Sequence, residues 1–176
     1  VYIKLFFKLI FIIGLVAIQL FFISGLPFWL RFLNPVIIFL IFSLEFGSDF
    51  KNIWWFLPIG LIFDIYSFLP FGFFLVFWPL IFIFARLMAK NFFTNRSFYS
   101  FLGLTFSVCL VYFLFLNLAI YFFPGAGVSE RFFLLSKTFW LNLFFSLSLN
   151  LVIVTLIFNL ANMATDRLKP VFLFKK

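Results

Sequence analysis

The chain has no histidine, one cysteine and only five acidic residues among 176. Each shortage removes a class of chemistry. Without histidine, and with a single thiol, a tetrahedral zinc site lacks ligands. A Ser-His triad, a Cys-His pair and a phosphate-cradling G-x-x-x-x-G-K loop are missing as well. The two carboxylates nearest to an acid–base spacing are Glu45 and Asp49, four residues apart. A chance pair at a membrane boundary has that spacing too. The expectation is a protein that is not an enzyme and carries neither cofactor nor metal. Cys109 has no cysteine to pair with and reads as a small apolar filler. There is no periodic repeat and no Pro/Ser-rich linker.

Charge is scarce, at 10% of residues, while 66% are hydrophobic. After Arg96 no charge occurs until Glu130, and Leu9–Leu30, Ile65–Ala85 and Thr138–Thr165 are likewise uncharged. A hydrocarbon core of ~30 Å takes ~20 apolar residues per helical crossing, so these four runs each supply a span. Two shorter uncharged runs, Phe32–Leu44 and Asn52–Phe63, flank the turn Gly47-Ser48-Asp49-Phe50-Lys51-Asn52. Its two charges favour water over hydrocarbon, which makes the runs two short crossings. The sequence therefore predicts an all-α integral membrane protein, one polytopic domain over 1–176. Its six transmembrane helices form one bundle, at about 5–23, 33–46, 53–68, 71–89, 98–123 and 132–162. A short basic tail follows at 164–176.

Lys and Arg accumulate in short cytoplasmic loops. With the N-terminus inside, the inner face receives Lys4, Lys8, Lys51, Arg86, Lys90, Arg96, Arg167, Lys169, Lys175 and Lys176, and the outer face only Arg31 and Arg131. Both termini are expected in the cytoplasm of a bacterial-type cell, with the chain in its inner membrane. Trp29 suits an outer anchor and Trp54-Trp55 an inner one, while Trp78 and Trp140 fall deeper. The net charge of +8 then faces anionic headgroups and needs no nucleic acid. Lys4 and Lys8 before an apolar stretch resemble a signal peptide, but no A-x-A pattern follows, so the first helix reads as an uncleaved anchor.

Polar groups inside spans stand out against this background. An ionised Asp at the centre of a transmembrane helix costs on the order of 3 kcal/mol, and Asp64 is so placed. Helical rise brings it within reach of Lys137. Two alternatives follow: Asp64 pairs with Lys137, or Lys137 snorkels to the surface while Asp64 caps or adjoins a water-filled turn near Ser67. The last helix carries Thr138, Asn142, Ser146 and Asn150 at four-residue spacing, a stripe that turns toward other helices as a packing face or a substrate path. Thirty-seven Phe residues point to an A+T-rich composition, which also favours Asn.

Proline and glycine punctuate the short helices: Asn34-Pro35 opens the second, Pro58 and Gly60 loosen the third, Pro79 kinks the fourth and Pro124–Gly127 closes the fifth. Residues 60–72 read GLIFDIYSFLPFG, or G-x-x-x-D-x-x-S-x-x-P-x-G. This segment resembles the signature of the rod-shape-determining membrane protein MreD family, with Gly60, Asp64, Ser67, Pro70 and Gly72 on the matching positions. Phe68 and Phe71 depart from it, standing where the family commonly has smaller or aliphatic residues. Length, six helices and a Pro such as Pro35 at the start of the second helix fit the same family.

The resemblance implies a noncatalytic inner-membrane component of the lateral cell-wall elongation (rod) complex, regulating cell shape and peptidoglycan synthesis. Its implied partners are an MreC-like protein, an MreB-like filament, a RodA-type glycosyltransferase and a class B transpeptidase. Gly60, Asp64, Ser67, Pro70, Gly72, Lys137 and Asn142 are the structural or interaction candidates. The alternative is a substrate-binding subunit of an energy-coupling-factor transporter, a class with about six short helices whose fold the MreD family is thought to resemble. Such subunits usually carry small residues four apart in the first helix, whereas Gly14 and Ala17 are three apart.

Overall fold

The computed structural model describes residues 2–27, 30–46, 50–93, 98–123 and 137–172. Among them every regular element is helical: α1 (Tyr2–Ala17), α2 (Pro35–Phe46), α3 (Phe56–Tyr66), α4 (Phe73–Asn91), α5 (Phe98–Phe122) and α6 (Lys137–Phe172). Three stretches, Phe73–Asn91, Phe98–Phe122 and Lys137–Leu160, are long and apolar enough to cross a membrane. Three shorter apolar ones are Ile10–Phe22, Leu30–Leu44 and Asn52–Tyr66. Large apolar side chains stand exposed around the outside, among them Phe6, Phe22, Phe106, Phe115, Phe144 and Leu160. Water would not tolerate so continuous an apolar surface, and a bilayer does. This is a helical membrane protein.

Helix α2 is apolar on every side, and Val36, Ile37, Leu40 and Ile41 are fully enclosed. A helix of that kind belongs inside a bundle. It packs against α1, α4 and α5, while α3 lies along α4 and α5 along α6. Aromatic rings fill the gaps between them: Phe56 meets Phe39 and Phe82, and Trp78 meets Phe63 and Tyr112. Pro35 opens α2 and Pro58 lies in the first turn of α3, where no intrahelical N–H is needed. Helix α4 runs through Pro79 as one element.

Several boundaries differ from the sequence expectation. The first helix leaves α geometry at Ala17 and continues as a π turn, Ile18–Phe22, and a 3-10 turn, Ile23–Gly25. The third is preceded by a 3-10 turn, Phe50–Trp55, and ends at Tyr66, because Ser67 is extended. The tail expected from 164 is helical as far as Phe172. Trp54 is exposed, and the Lys8 ammonium sits over the Trp55 ring, 5.2 Å from its centroid. Trp78 is enclosed by protein, whereas Trp140 is exposed one turn into α6. Trp29, the Pro124–Gly127 closure, Asp49 and the first residues of the sixth predicted helix lie outside the described residues, as does the side chain of Glu45.

Candidate functional site

The segment singled out by sequence folds into the α3–turn–α4 hairpin. Gly60 is buried at the crossing, and a Cβ placed on it would stand 2.5 Å from the Phe74 carbonyl oxygen and 2.7 Å from the Leu75 Cα. Only a residue without a side chain lets α3 approach the α4 backbone so closely. One turn later on the same face is Asp64, also buried. Its Oδ1 accepts the Phe74 N–H at 2.8 Å and its Oδ2 the Leu75 N–H at 3.0 Å.

This geometry accounts for the start of α4 amide by amide. Gly72, at φ +95°, is the N-cap residue and turns the chain in the left-handed region. The Phe73 N–H donates to the Pro70 carbonyl at 3.1 Å, Phe74 and Leu75 donate to Asp64, and Val76 donates to Gly72 at 3.2 Å. A helix N-terminus normally caps itself with a Ser, Thr, Asp or Asn. Here the cap position is glycine, and the carboxylate arrives from the preceding helix. Two charge-assisted bonds and the positive end of the helix dipole offset the cost of burying the carboxylate.

Of the two alternatives for Asp64, the capping one describes the hairpin, with protein amides in place of a water-filled turn. Lys137 is exposed at the first turn of α6 and makes no bond to Asp64. Ser67 ends α3 in extended geometry, and its buried Oγ has no partner. Pro70 contributes its carbonyl. Phe68 and Phe71 project outward from the turn, Phe68 91% exposed, so their bulk leaves the close contact at Gly60 undisturbed.

A second polar group assembles where α2 begins. Asn34 caps its own helix, its Oδ1 accepting the Ile37 N–H at 3.2 Å, and its backbone N–H donates to Asn150 Oδ1 at 2.9 Å. Asn150 is wholly buried, and its Nδ2 donates to the Phe32 carbonyl at 3.2 Å and the Ser146 carbonyl at 2.7 Å. From the π turn after α1, Gln19 Oε1 accepts the Val36 N–H at 3.3 Å. The π turn after α1, the 3-10 turn Leu30–Phe32 and α6 thus meet at the N-terminus of α2.

The polar stripe of α6 is only partly engaged here. Ser146 and Asn150 face the interior, Thr138 is exposed, and Asn142 is half-buried with an Oδ1 that has no partner. Gln19 was not singled out by sequence. A lone glutamine in the uncharged run Leu9–Leu30 was the available signal. In both clusters the acceptors are taken up chiefly by backbone amides, so the arrangement fixes helix ends inside a membrane. Among the described residues no group of His, Cys, Asp or Glu is placed to hold a metal. Comparison with family models, curated proteins and solved structures finds no match to this chain.

Proposed function

We propose that the chain is a noncatalytic component of the cell-wall elongation machinery, a membrane scaffold or regulator of the MreD kind. It would reside in a bacterial inner membrane with both termini cytoplasmic. The observation that carries this reading is the segment GLIFDIYSFLPFG, in which Gly60, Asp64, Pro70 and Gly72 act together as one structural device. A motif whose residues jointly set one helix–helix contact is less easily explained by phenylalanine-rich composition than a run of unrelated matches. The exposed apolar helices leave ample surface for membrane partners of the kind the resemblance implies: an MreC-like protein, a RodA-type glycosyltransferase and a class B transpeptidase, linked to an MreB-like filament.

Depletion in the rod-shaped host tests the reading. Rounded cells that recover shape on re-expression support it. Cells that keep their shape but lose uptake of a vitamin or metal would replace it with the substrate-binding subunit of an energy-coupling-factor transporter.

A further inference from the structure

We infer that the edge of the bundle formed by α3 meets a lipid layer only about 20 Å thick, so that the protein thins the bilayer beside it. The inner limit is set at the start of α3. There the Lys8 ammonium sits 5.2 Å from the centroid of the Trp55 ring, and both Lys8 and the neighbouring Trp54 are exposed. A lysine cation and an exposed indole settle at the headgroups. The outer limit is the turn into α4. Ser67 is extended, and among the described residues no backbone carbonyl accepts the N–H of Phe68, Leu69 or Phe71. Such amides need water, and the exposed Phe68 and Phe71 show that protein does not cover the turn.

The eleven residues of α3 separate these limits and give about 17 Å, against the ~30 Å of a typical hydrocarbon core. Tilt only shortens the measure. Helix α1 and its π turn repeat it: Phe21 meets Tyr66 edge to face, ring centroids 5.4 Å apart, thirteen residues after Lys8, or about 20 Å. The opposite side of the bundle is longer. Phe98–Phe122 and Lys137–Leu160 hold 25 and 24 residues, about 36 Å each. The excess lies on the inner side. Phe56, next to Trp55, meets Phe82 of α4, and Phe77 of α4 meets Tyr112 of α5. Five residues inward from that second contact, Phe82 comes level with Ser107, beside the exposed Phe106. Helix α5 starts eight residues further inward, at Phe98, or about 12 Å away. At one level, therefore, α3 reaches the headgroups while α5 still presents phenylalanine to hydrocarbon. The hairpin cannot slide to even this out, because Gly60 locks α3 against the α4 backbone and Asp64 holds the first α4 amides. A short span that is held in place is matched by thinning of the lipid.

Site-directed spin labelling in nanodiscs of dioleoyl-phosphatidylcholine tests this. In a background with Cys109→Ala, single variants Trp54→Cys, Leu61→Cys, Phe68→Cys and Phe106→Cys carry a nitroxide. Power saturation then compares collisions with a water-soluble nickel chelate and with oxygen, which concentrates in hydrocarbon. The nickel-to-oxygen ratio at Trp54→Cys and Phe68→Cys should exceed that at Phe106→Cys by on the order of tenfold, because the chelate stays out of hydrocarbon. Leu61→Cys, exposed midway along α3, should match Phe106→Cys. If Trp54→Cys or Phe68→Cys does not fold, Lys8→Cys and Phe71→Cys read the same two levels. A hydrocarbon value at either end of α3 would overturn the thinning. A water value at Leu61→Cys would overturn it as well, by showing that α3 borders water rather than lipid.

Discussion

Asp64 and Leu75 belong to different helices, yet the second carboxylate oxygen of one accepts the backbone amide of the other at 3.0 Å, beside the matching bond to Phe74. The start of α4 is therefore completed by α3, and neither helix is a finished unit alone. A spanning helix must satisfy its terminal amides wherever it begins below the headgroups. Here the requirement is met by a neighbour, which ties helix formation to helix packing.

Replacing Asp64 separates the charge from the bonds. Asp64→Asn keeps one acceptor oxygen and should lose one amide partner, whereas Asp64→Leu strands both. At about 1–3 kcal/mol per buried unsatisfied group, thermal stability in detergent should fall in the order wild type, Asn, Leu. The double change Asp64→Leu with Lys137→Leu should equal the sum of the single changes, because the two side chains do not touch. Rescue of Asp64→Leu by Lys137→Leu would show an ion pair and contradict the cap.

Gly60→Ala tests the close approach with a sign. In an open helix the exchange gains up to about 1 kcal/mol from helix propensity. Against the Phe74 carbonyl and Leu75 Cα the added methyl should instead destabilise by about 1–3 kcal/mol, since the obstacle is backbone. A raised melting temperature would mean that α3 and α4 stand apart.

At Gly72 the cause is different. Nothing lies within 4 Å of a Cβ there, but φ is +95°. Gly72→Ala should destabilise by about 1–2 kcal/mol through backbone strain alone, and Gly72→Asn by less, because Asn tolerates left-handed geometry. Equal losses in both variants would point to a contact rather than to φ.

Asn150 and Asn142 sit on one stripe and should behave oppositely. Asn150→Leu strands the Asn34 amide and the Phe32 carbonyl, a loss of several kcal/mol on the order of 1–3 per group. Asn142→Leu removes an oxygen that has no partner and should be neutral or stabilising. Unfolding in a denaturing-detergent titration distinguishes them, and equal destabilisation would refute the assigned network.

Lack of charge announced three of the six expected spans, Phe73–Asn91, Phe98–Phe122 and Lys137–Leu160, because a ~30 Å hydrocarbon layer imposes its length on composition directly, while the apolar stretch Ile10–Phe22 in the uncharged run Leu9–Leu30 is shorter than a crossing. Proline and glycine marked where α2 and α4 begin, since the geometry they permit or forbid is local. The partner of Asp64 was a different matter. Its depth made a partner necessary, but Lys137 and the nearby turn were both within reach on paper; which helix end comes alongside is a property of packing. The joining of Asn34 to Asn150 across 116 residues, and the π turn that brings Gln19 to α2, were hidden for the same reason. Sequence fixed that polar groups in these helices needed partners, through the high cost of leaving them bare in hydrocarbon. Tertiary structure alone decided which backbone amides those partners would be, because a trans cap depends on three-dimensional placement that no local pattern encodes.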